Sequence, residues 1–368
     1  MVLDLDYPSE NNLYGDVFVH TRVKEYKKYA LVQVVSFFRA QPDYEYEGIK
    51  VVHAPSINDI FYIFNQFKPD SVFIHFYDRR LYPFIKNIEV PVIIWVHGYE
   101  ALGWYRRLFN HSTYGLIRNA HNIILPNIKQ MLGFRKVVEF SNKTKRIHFV
   151  FVSDWMRRTA ESDALIKAKY YSLIPNPINI ELFKYSSKIA DNRKKILLIR
   201  SFGSRKYAND IAVDAILKLS KKSFFEDLQI TIYGAGKLFK PLTEPLKQFA
   251  NISLNEKFLP NHLIPQIHYH NGVFLCPTRQ DAQGVSMCEA MSSGLVPITI
   301  NCTAIPEFIQ NKSNGLMGKN AAELADQIEY LYYNPEAFLG ISKKASEFIN
   351  AKCNISDIVK KEMAIISQ

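Results

Sequence analysis

Cysteine is scarce: Cys276, Cys288, Cys302 and Cys353 are the only four in 368 residues, with no CxxC pair and no clustering with histidine. That excludes a dense disulfide framework and suits packed thiols in a reducing compartment. Glycine (15) and proline (17) are also few, which removes collagen-like, linker-like and low-complexity chains. No stretch reaches the ~20 apolar residues of a membrane-spanning helix. The opening Met1-Val-Leu-Asp-Leu-Asp-Tyr-Pro8 lacks the basic and apolar regions of an export signal, so the chain is expected to stay in the cytoplasm. No segment repeats with a period of ~20–50 residues. Acidic residues are outnumbered, 35 against 46 basic ones, and the net charge of +11 calls for an acidic partner: nucleic acid, an anionic membrane or a phosphorylated ligand.

What is present is the material of a folded α/β protein. At 48% hydrophobic residues the chain can build a large core, and its length suggests two domains. Short β-branched and aromatic runs at 30–37, 71–76, 90–97, 122–125 and 148–152 are each followed by a helix-sized spacer. Continuous apolar strands of this kind belong to parallel sheets covered on both faces. After Ser172-Leu-Ile-Pro-Asn-Pro-Ile178 the pattern restarts at 195–200, 228–233, 252–254, 273–276 and 296–300. The expectation is two doubly wound, Rossmann-like domains, 1–175 and 176–354, with a helix at about 355–368 packing back on the first. In such sheets ligands sit beyond the carboxyl ends of the strands, so the chemistry belongs in the loops that follow strands, in a cleft between two facing domains.

The most informative stretch is Cys276-Pro-Thr-Arg-Gln-Asp-Ala-Gln-Gly-Val-Ser-Met-Cys-Glu-Ala-Met-Ser-Ser-Gly-Leu-Val-Pro297. It reads as a buried strand end, a polar loop carrying Asp281, a close-approach Gly284, and a helix over 285–293 stopped by Gly294. A helix N-terminus behind a glycine loop offers free N–H groups, here of Val285 and Ser286, and a positive dipole end, which suit a phosphate. Asp281 and Glu289 are placed to accept hydrogen bonds from sugar hydroxyls. Taken alone, the same pair also reads as a loop cap and a solvated helix residue. Tyr233-Gly-Ala-Gly-Lys237 is no Walker A loop, because Thr231 and Leu238 stand where that motif needs Gly and Ser or Thr. His268-x-His270 has no nearby carboxylate or cysteine and reads as structural, so no metal site is expected.

With Thr303-Ala-Ile-Pro-Glu307 and Asn314-Gly-Leu316, this stretch resembles the nucleotide-binding domain of family 4 glycosyltransferases of the GT-B fold, a resemblance that spans about residues 90–350. Their E-x7-E signature stands here as D-x7-E, from Asp281 to Glu289. The resemblance implies that Asp281 supports the donor sugar, that Glu289 binds the ribose hydroxyls, and that the amides of Gly284, Val285 and Ser286 hold the diphosphate. It makes Arg200 one phosphate clamp and either Arg205 or Lys206 the second, which suits charge developing on a leaving diphosphate. Gly234 is placed beside the donor, as a contact or as a tight turn, and Phe258 and Leu259 against the base. In the first domain, Val92-Ile-Ile-Trp-Val-His-Gly-Tyr-Glu100 puts His97 at a strand end as the cleft histidine, able to donate a hydrogen bond to a sugar hydroxyl or phosphate. Asn11-Asn-Leu-Tyr-Gly-Asp16 corresponds to the glycine loop after the first strand, with Gly15 retained.

Charge is concentrated: residues 101–150 hold nine Lys/Arg against one Asp/Glu, so +8 of the +11. Aromatic rings interleaved with cations, as in Leu102-Gly-Trp-Tyr-Arg-Arg-Leu-Phe109, suit an anionic membrane interface; the same composition also suits single-stranded nucleic acid or an unspecialised basic face. The resemblance implies a retaining, metal-independent hexosyltransferase that moves sugar from a UDP- or GDP-sugar to a lipid-linked or polysaccharide acceptor. Capsule, O-antigen or lipopolysaccharide synthesis at the cytoplasmic face of the inner membrane is the expected setting, with no cofactor besides the nucleotide-sugar substrate. Two other readings stay open: a GT-B enzyme such as a sugar-nucleotide epimerase, and a basic nucleic-acid-binding protein, which would lack any RNP, helix-turn-helix or zinc pattern.

Overall fold

The computed structural model describes residues 1–13, 15–111 and 113–366. The chain divides into two units, one built from Met1–Pro177 together with the segment that starts at Ile355, the other from Ile178–Asn354.

The first unit holds β1 (Val2–Asp4), β2 (Val34–Phe37), β3 (Tyr44–Tyr46), β4 (Ile49–Ala54), β5 (Val72–His75), β6 (Val92–Val96), β7 (Ile147–Phe151) and β8 (Tyr171–Leu173). Its helices are α1 (Val17–Tyr26), α2 (Ile57–Phe67), α3 (Tyr82–Asn87), α4 (Thr113–Thr144) and α5 (Asp154–Ala164). The strands lie in the order β3-β4-β2-β1-β5-β6-β7-β8, parallel except for the β3–β4 hairpin at the edge. β6 shows why an apolar run becomes a central strand here: all five of its residues are buried, as helices on both faces require.

One expected strand is a helix. Residues 122–125 lie within α4, whose Asn127, Met131, Phe134 and Val138 are buried at helical spacing. Docking along that stripe overrides the local β-like run Asn-Ile-Ile-Leu and also carries Pro126 inside the helix.

The second unit is a six-stranded, wholly parallel sheet of β9 (Lys195–Ile199), β10 (Gln229–Tyr233), β11 (Ile252–Asn255), β12 (Val273–Leu275), β13 (Val296–Ile300) and β14 (Leu316–Gly318). The order β11-β10-β9-β12-β13-β14 reverses direction between β9 and β12. That reversal is the topological switch point, where the loops after two neighbouring strands part and leave a crevice. Helices α6 (Asn209–Leu219), α7 (Phe239–Thr243), α8 (Ile264–His270), α9 (Val285–Ser292), α10 (Ala321–Tyr333) and α11 (Pro335–Cys353) cover the sheet. Ile196, Leu198, Ile216, Ile230, Ile232 and Leu324 are among the residues of its core.

The chain then returns to the first unit as α12 (Ile355–Ile366); positions 367 and 368 of the expected helix, like Tyr14 of the 11–16 loop, lie outside the described residues. A buried ion pair fixes it there. One oxygen of Glu362 accepts from Arg22 Nε at 2.9 Å and from Trp95 Nε1 at 3.0 Å, and the other accepts from the Tyr26 hydroxyl at 2.5 Å. Both charged side chains are fully enclosed, so the pair is held by its geometry and by the added donors.

Candidate active site

Arg200 follows β9 and bridges the switch point of the second unit. Its Nη2 donates to the carbonyl of Cys276, just after β12, at 2.9 Å, and its Nη1 to Ser286 Oγ in the first turn of α9 at 3.2 Å. The side chain is buried and its Nε has no partner among the described residues. Arg200 is therefore a buried cation with an unused N–H, an arrangement suited to an anionic ligand.

Gly284 is the N-cap of α9 and sits at φ +84°, a left-handed conformation that glycine alone adopts without strain. The first amides of α9 have no acceptor within the helix, so those of Val285 and Ser286 are available to a ligand. Asp281 shapes this loop: its Oδ1 accepts from the amides of Gly284 at 2.8 Å and Gln283 at 3.3 Å, and its own amide donates to Thr303 Oγ1 at 3.1 Å. The structure thus shows its carboxylate as a loop organiser. The carboxyl of Glu289, mostly enclosed one turn into α9, has no hydrogen bond or ion pair among the described residues, and burial pushes it up to about 8. A carboxyl held off water without a protein partner is poised for hydroxyl donors from outside.

The loop carrying Arg205 and Lys206 is fastened to the same place. Arg279 donates from its amide to the Lys206 carbonyl at 2.8 Å and from Nη1 to the Arg205 carbonyl at 2.8 Å, while a bidentate pair joins it to Asp210 at 2.7 and 2.6 Å. Lys206 Nζ lies 5.6 Å from the centre of the Tyr207 ring, and the Arg205 side chain is exposed. Gly234 is a packing device: a Cβ there would meet the Arg200 carbonyl at 2.0 Å, so the glycine lets the turn after β10 press on the loop after β9. Past β11, Leu259 is buried and Phe258 is 39% exposed. Sequence reasoning passed over Arg279, Asp210, Asn209 and Thr303, which brace the loops. Arg279 inside the 276–297 stretch and Thr303 at the head of the 303–307 segment lay within quoted motifs without being given a role.

Gly15 and His97 belong to the first unit. A Cβ on Gly15 would lie 2.5 Å from the Asp6 carbonyl, so this glycine permits a tight loop after β1. That loop leads into α1, whose Phe18 ring packs on His97 at 4.8 Å. His97 Nε2 is 2.9 Å from His75 Nδ1, and Nδ1 of His97 has no partner among the described residues. Burial holds its pKa well below the ordinary value, so the imidazole is neutral at neutral pH. Glu100 accepts from the amides of His97 and Gly98 and fixes the loop. His75, a buried second histidine stacked on Trp95, is a further residue that sequence reasoning did not single out. His268 is a packed core group, 3.0 Å from Ser293 Oγ, with burial lowering its pKa to about 3.

Much of the basic segment is already engaged. Arg106 forms a bidentate pair with Asp163 at 2.6 and 2.8 Å, Arg135 pairs with Glu139 at 2.9 Å, and Arg146 donates to the carbonyl of Ile88 at 2.7 Å. The patch of +8 read from composition is thus smaller as a free surface.

Residues 193–334 match the family described as Glycosyl transferases group 1. Over 72% of its length the chain is 24% identical to the phosphatidylinositol N-acetylglucosaminyltransferase GPI3 subunit of Saccharomyces cerevisiae, and the match spans 59% of that protein. Among solved structures, sucrose-phosphate synthase from Thermosynechococcus elongatus superposes with a TM-score of 0.77 at 12% identity, covering 100% of this chain and 98% of that one. HepE of Anabaena, solved with UDP and glucose, gives 0.70 at 14% identity over 100% and 98%. The chain has two parallel-sheet, Rossmann-like units of the GT-B glycosyltransferase fold, and its second unit carries the match to group 1 glycosyl transferases.

Proposed function

We propose that this chain is a retaining glycosyltransferase that moves a sugar from a UDP- or GDP-sugar to a lipid-linked or polysaccharide acceptor. The observation that carries the reading is Glu289: a carboxyl pushed up to about 8 by burial, without a partner among the described residues, one turn inside the helix whose N-terminus faces the switch point. Ribose hydroxyls supply the donors it lacks, while the amides of Val285 and Ser286 and the unused Nε of Arg200 take the diphosphate. As the sugar–phosphate bond breaks, negative charge grows on the leaving phosphate. Arg200, with Lys206 or Arg205, is stronger toward that state than toward the intact donor. The leaving phosphate accepts the acceptor's proton, and attack comes from the face it leaves. Asp281 supports the donor sugar and neutral His97 a sugar hydroxyl.

A lipid-linked acceptor in cell-surface glycan synthesis (capsule, O-antigen or lipopolysaccharide) at the cytoplasmic face of the inner membrane fits two observations. The yeast relative is named for phosphatidylinositol and N-acetylglucosamine, which makes UDP-N-acetylglucosamine the first donor to try. On α4, Leu125, Ile128 and Leu132 are exposed in one stripe beside Lys129, Arg135 and Lys136, a surface suited to anionic lipid. Thermal shift and donor hydrolysis across a panel of nucleotide-sugars test the reading. Stabilisation by one nucleoside diphosphate and its sugar, abolished in Glu289→Ala, is expected; no shift with any nucleotide refutes it, and epimerisation of the donor without an acceptor replaces it.

A further inference from the structure

The first unit contains a cleft of about 620 Å³ lined by groups that the proposed donor chemistry does not use. Its volume lies within the roughly 300–1,000 Å³ of small-molecule sites. Arg79, Arg80 and Arg107 converge on it, with Tyr99 and Trp104 as aromatic walls and His111 as a further polar group.

The walls are fixed before any ligand arrives. Asn127 of α4 accepts from the Trp104 amide at 2.7 Å and donates to the Leu102 carbonyl at 2.9 Å. Gln130, one turn on, donates to the carbonyls of Tyr77 at 2.8 Å and Glu100 at 3.1 Å and accepts from the Arg79 amide at 3.0 Å. Asp163 holds the Gly103 amide at 2.7 Å and the Tyr105 hydroxyl at 2.5 Å. The loops after β5 and after β6 are thus tied to two helices, the rigidity that a specific site needs.

The cations differ in how far the protein uses them. Arg80 is neutralised by a bidentate pair with Asp78, both bonds 2.9 Å, and lies 3.9 Å over the Phe38 ring. Arg107 is half-buried at a break in its helical turn (φ −117°, ψ 18°), and its guanidinium makes no hydrogen bond or ion pair among the described residues. Glu100, whose charge it feels, is committed to the amides of His97 and Gly98. The Arg79 guanidinium likewise has no partner among the described residues and stands exposed at the rim. Two uncommitted planar cations beside aromatic faces match a ligand that joins a phosphate to a ring bearing hydroxyls.

We propose that this cleft binds a phosphorylated saccharide, its phosphate held by Arg107 and Arg79 and its ring by Tyr99 and Trp104, as the acceptor subsite. The acceptor role rests on the transferase reading above; the binding site does not. The cleft opens beside Tyr99, two residues beyond His97, so the loop that fixes the histidine also forms the wall.

The test is calorimetric titration of the intact protein with N-acetylglucosamine 1-phosphate, with uncharged N-acetylglucosamine and with inorganic phosphate. The sugar phosphate is expected to bind best, and Arg107→Gln to weaken it at least about tenfold. Arg79→Gln alters only an exposed side chain and serves as the variant whose fold is not in question; it is expected to weaken the same ligand by several-fold. Equal affinity of wild type and both variants for the sugar phosphate, or equal affinity for the sugar with and without phosphate, overturns the proposal. Flotation with phosphatidylcholine vesicles carrying phosphatidylinositol, or phosphatidylserine at equal charge, identifies the source. Excess binding to the inositol lipid that Arg107→Gln abolishes places the phosphosugar on a lipid headgroup; equal flotation beside Arg107-dependent titration places it on a soluble ligand. UDP affinity, measured on the same samples, separates the two readings. Its retention in Arg107→Gln is expected, whereas its absence in wild type, with sugar-phosphate binding intact, removes the acceptor role and leaves the site.

Discussion

Glu289 should make the protein less stable and its hold on a nucleotide tighter. In the folded chain its carboxyl titrates at about 8 against an ordinary value of 4.5, because burial disfavours the charged form. The folded state therefore holds a proton that the unfolded state has lost between pH 4.5 and about 8, and stability falls as pH rises through that window. At ~1.4 kcal/mol per pKa unit the burden at alkaline pH is on the order of 5 kcal/mol. Glu289→Gln removes it, so the variant should melt several degrees above wild type at about pH 9 and match it under acid conditions. Ribose hydroxyls favour the ionised form, so nucleotide binding to wild type at neutral pH should release a proton, visible as a dependence of calorimetric enthalpy on buffer. The glutamine variant should release none and bind the nucleotide at least about tenfold more weakly, the loss of charge-assisted bonds of roughly 1.5–3 kcal/mol each. Unchanged affinity in a folded, more stable variant would remove the ribose assignment. An unchanged pH dependence of melting would refute the burial argument itself.

Arg200→Lys keeps a charge but loses the fork that reaches both the Cys276 carbonyl and Ser286 Oγ; turnover should fall at least about tenfold, and full activity would rule out a role for the guanidinium in the leaving-group step. Asp281→Asn retains an oxygen for the Gly284 and Gln283 amides; nucleotide affinity and melting should hold while turnover drops, and a fully active variant would make the residue a loop organiser alone. Replacing exposed Leu125, Ile128 and Leu132 with Gln should lower partition onto anionic vesicles without changing the melting temperature, and undiminished partition would move the membrane surface elsewhere. Glu362→Gln leaves Arg22 as an enclosed charge without its counterion; urea denaturation should report a loss of about 3–5 kcal/mol, and a loss within error would mean that water reaches the pair.

The central strands were legible because a parallel sheet buried on both faces leaves a signature that needs no partner to be read: continuous β-branched and aromatic runs. The run at 90–97 contains β6 (Val92–Val96), and 296–300 is β13 itself. The same signature misled at 122–125. Four residues of Asn-Ile-Ile-Leu are too short to show a helical period, and the stripe that docks α4 lies downstream at Asn127, Met131, Phe134 and Val138. The half-exposed edge strand β3 was not named for the opposite reason. An edge strand alternates, and Tyr44-Glu-Tyr46 is too brief for alternation to stand out.

In the candidate site, the residues with a local chemical reason could be read, and those that brace it could not. Gly284 and Glu289 lie within one helix and its cap, so spacing alone places them one turn apart. Arg279 acts through Asp210, 69 residues away, and His75 stands behind His97 across a strand pair; in a single sequence nothing joins them. Composition has the same blind spot for charge. It counts Arg106 and Arg107 alike, yet Asp163, 57 residues beyond Arg106, neutralises the first, and folding leaves the second half-buried without a counterion among the described residues. The net charge of residues 101–150 therefore overstates the cation available at the surface. What that segment can offer an anion lies in the few guanidiniums whose charge is uncompensated among the described residues, because those gain a new ion pair when an anion binds.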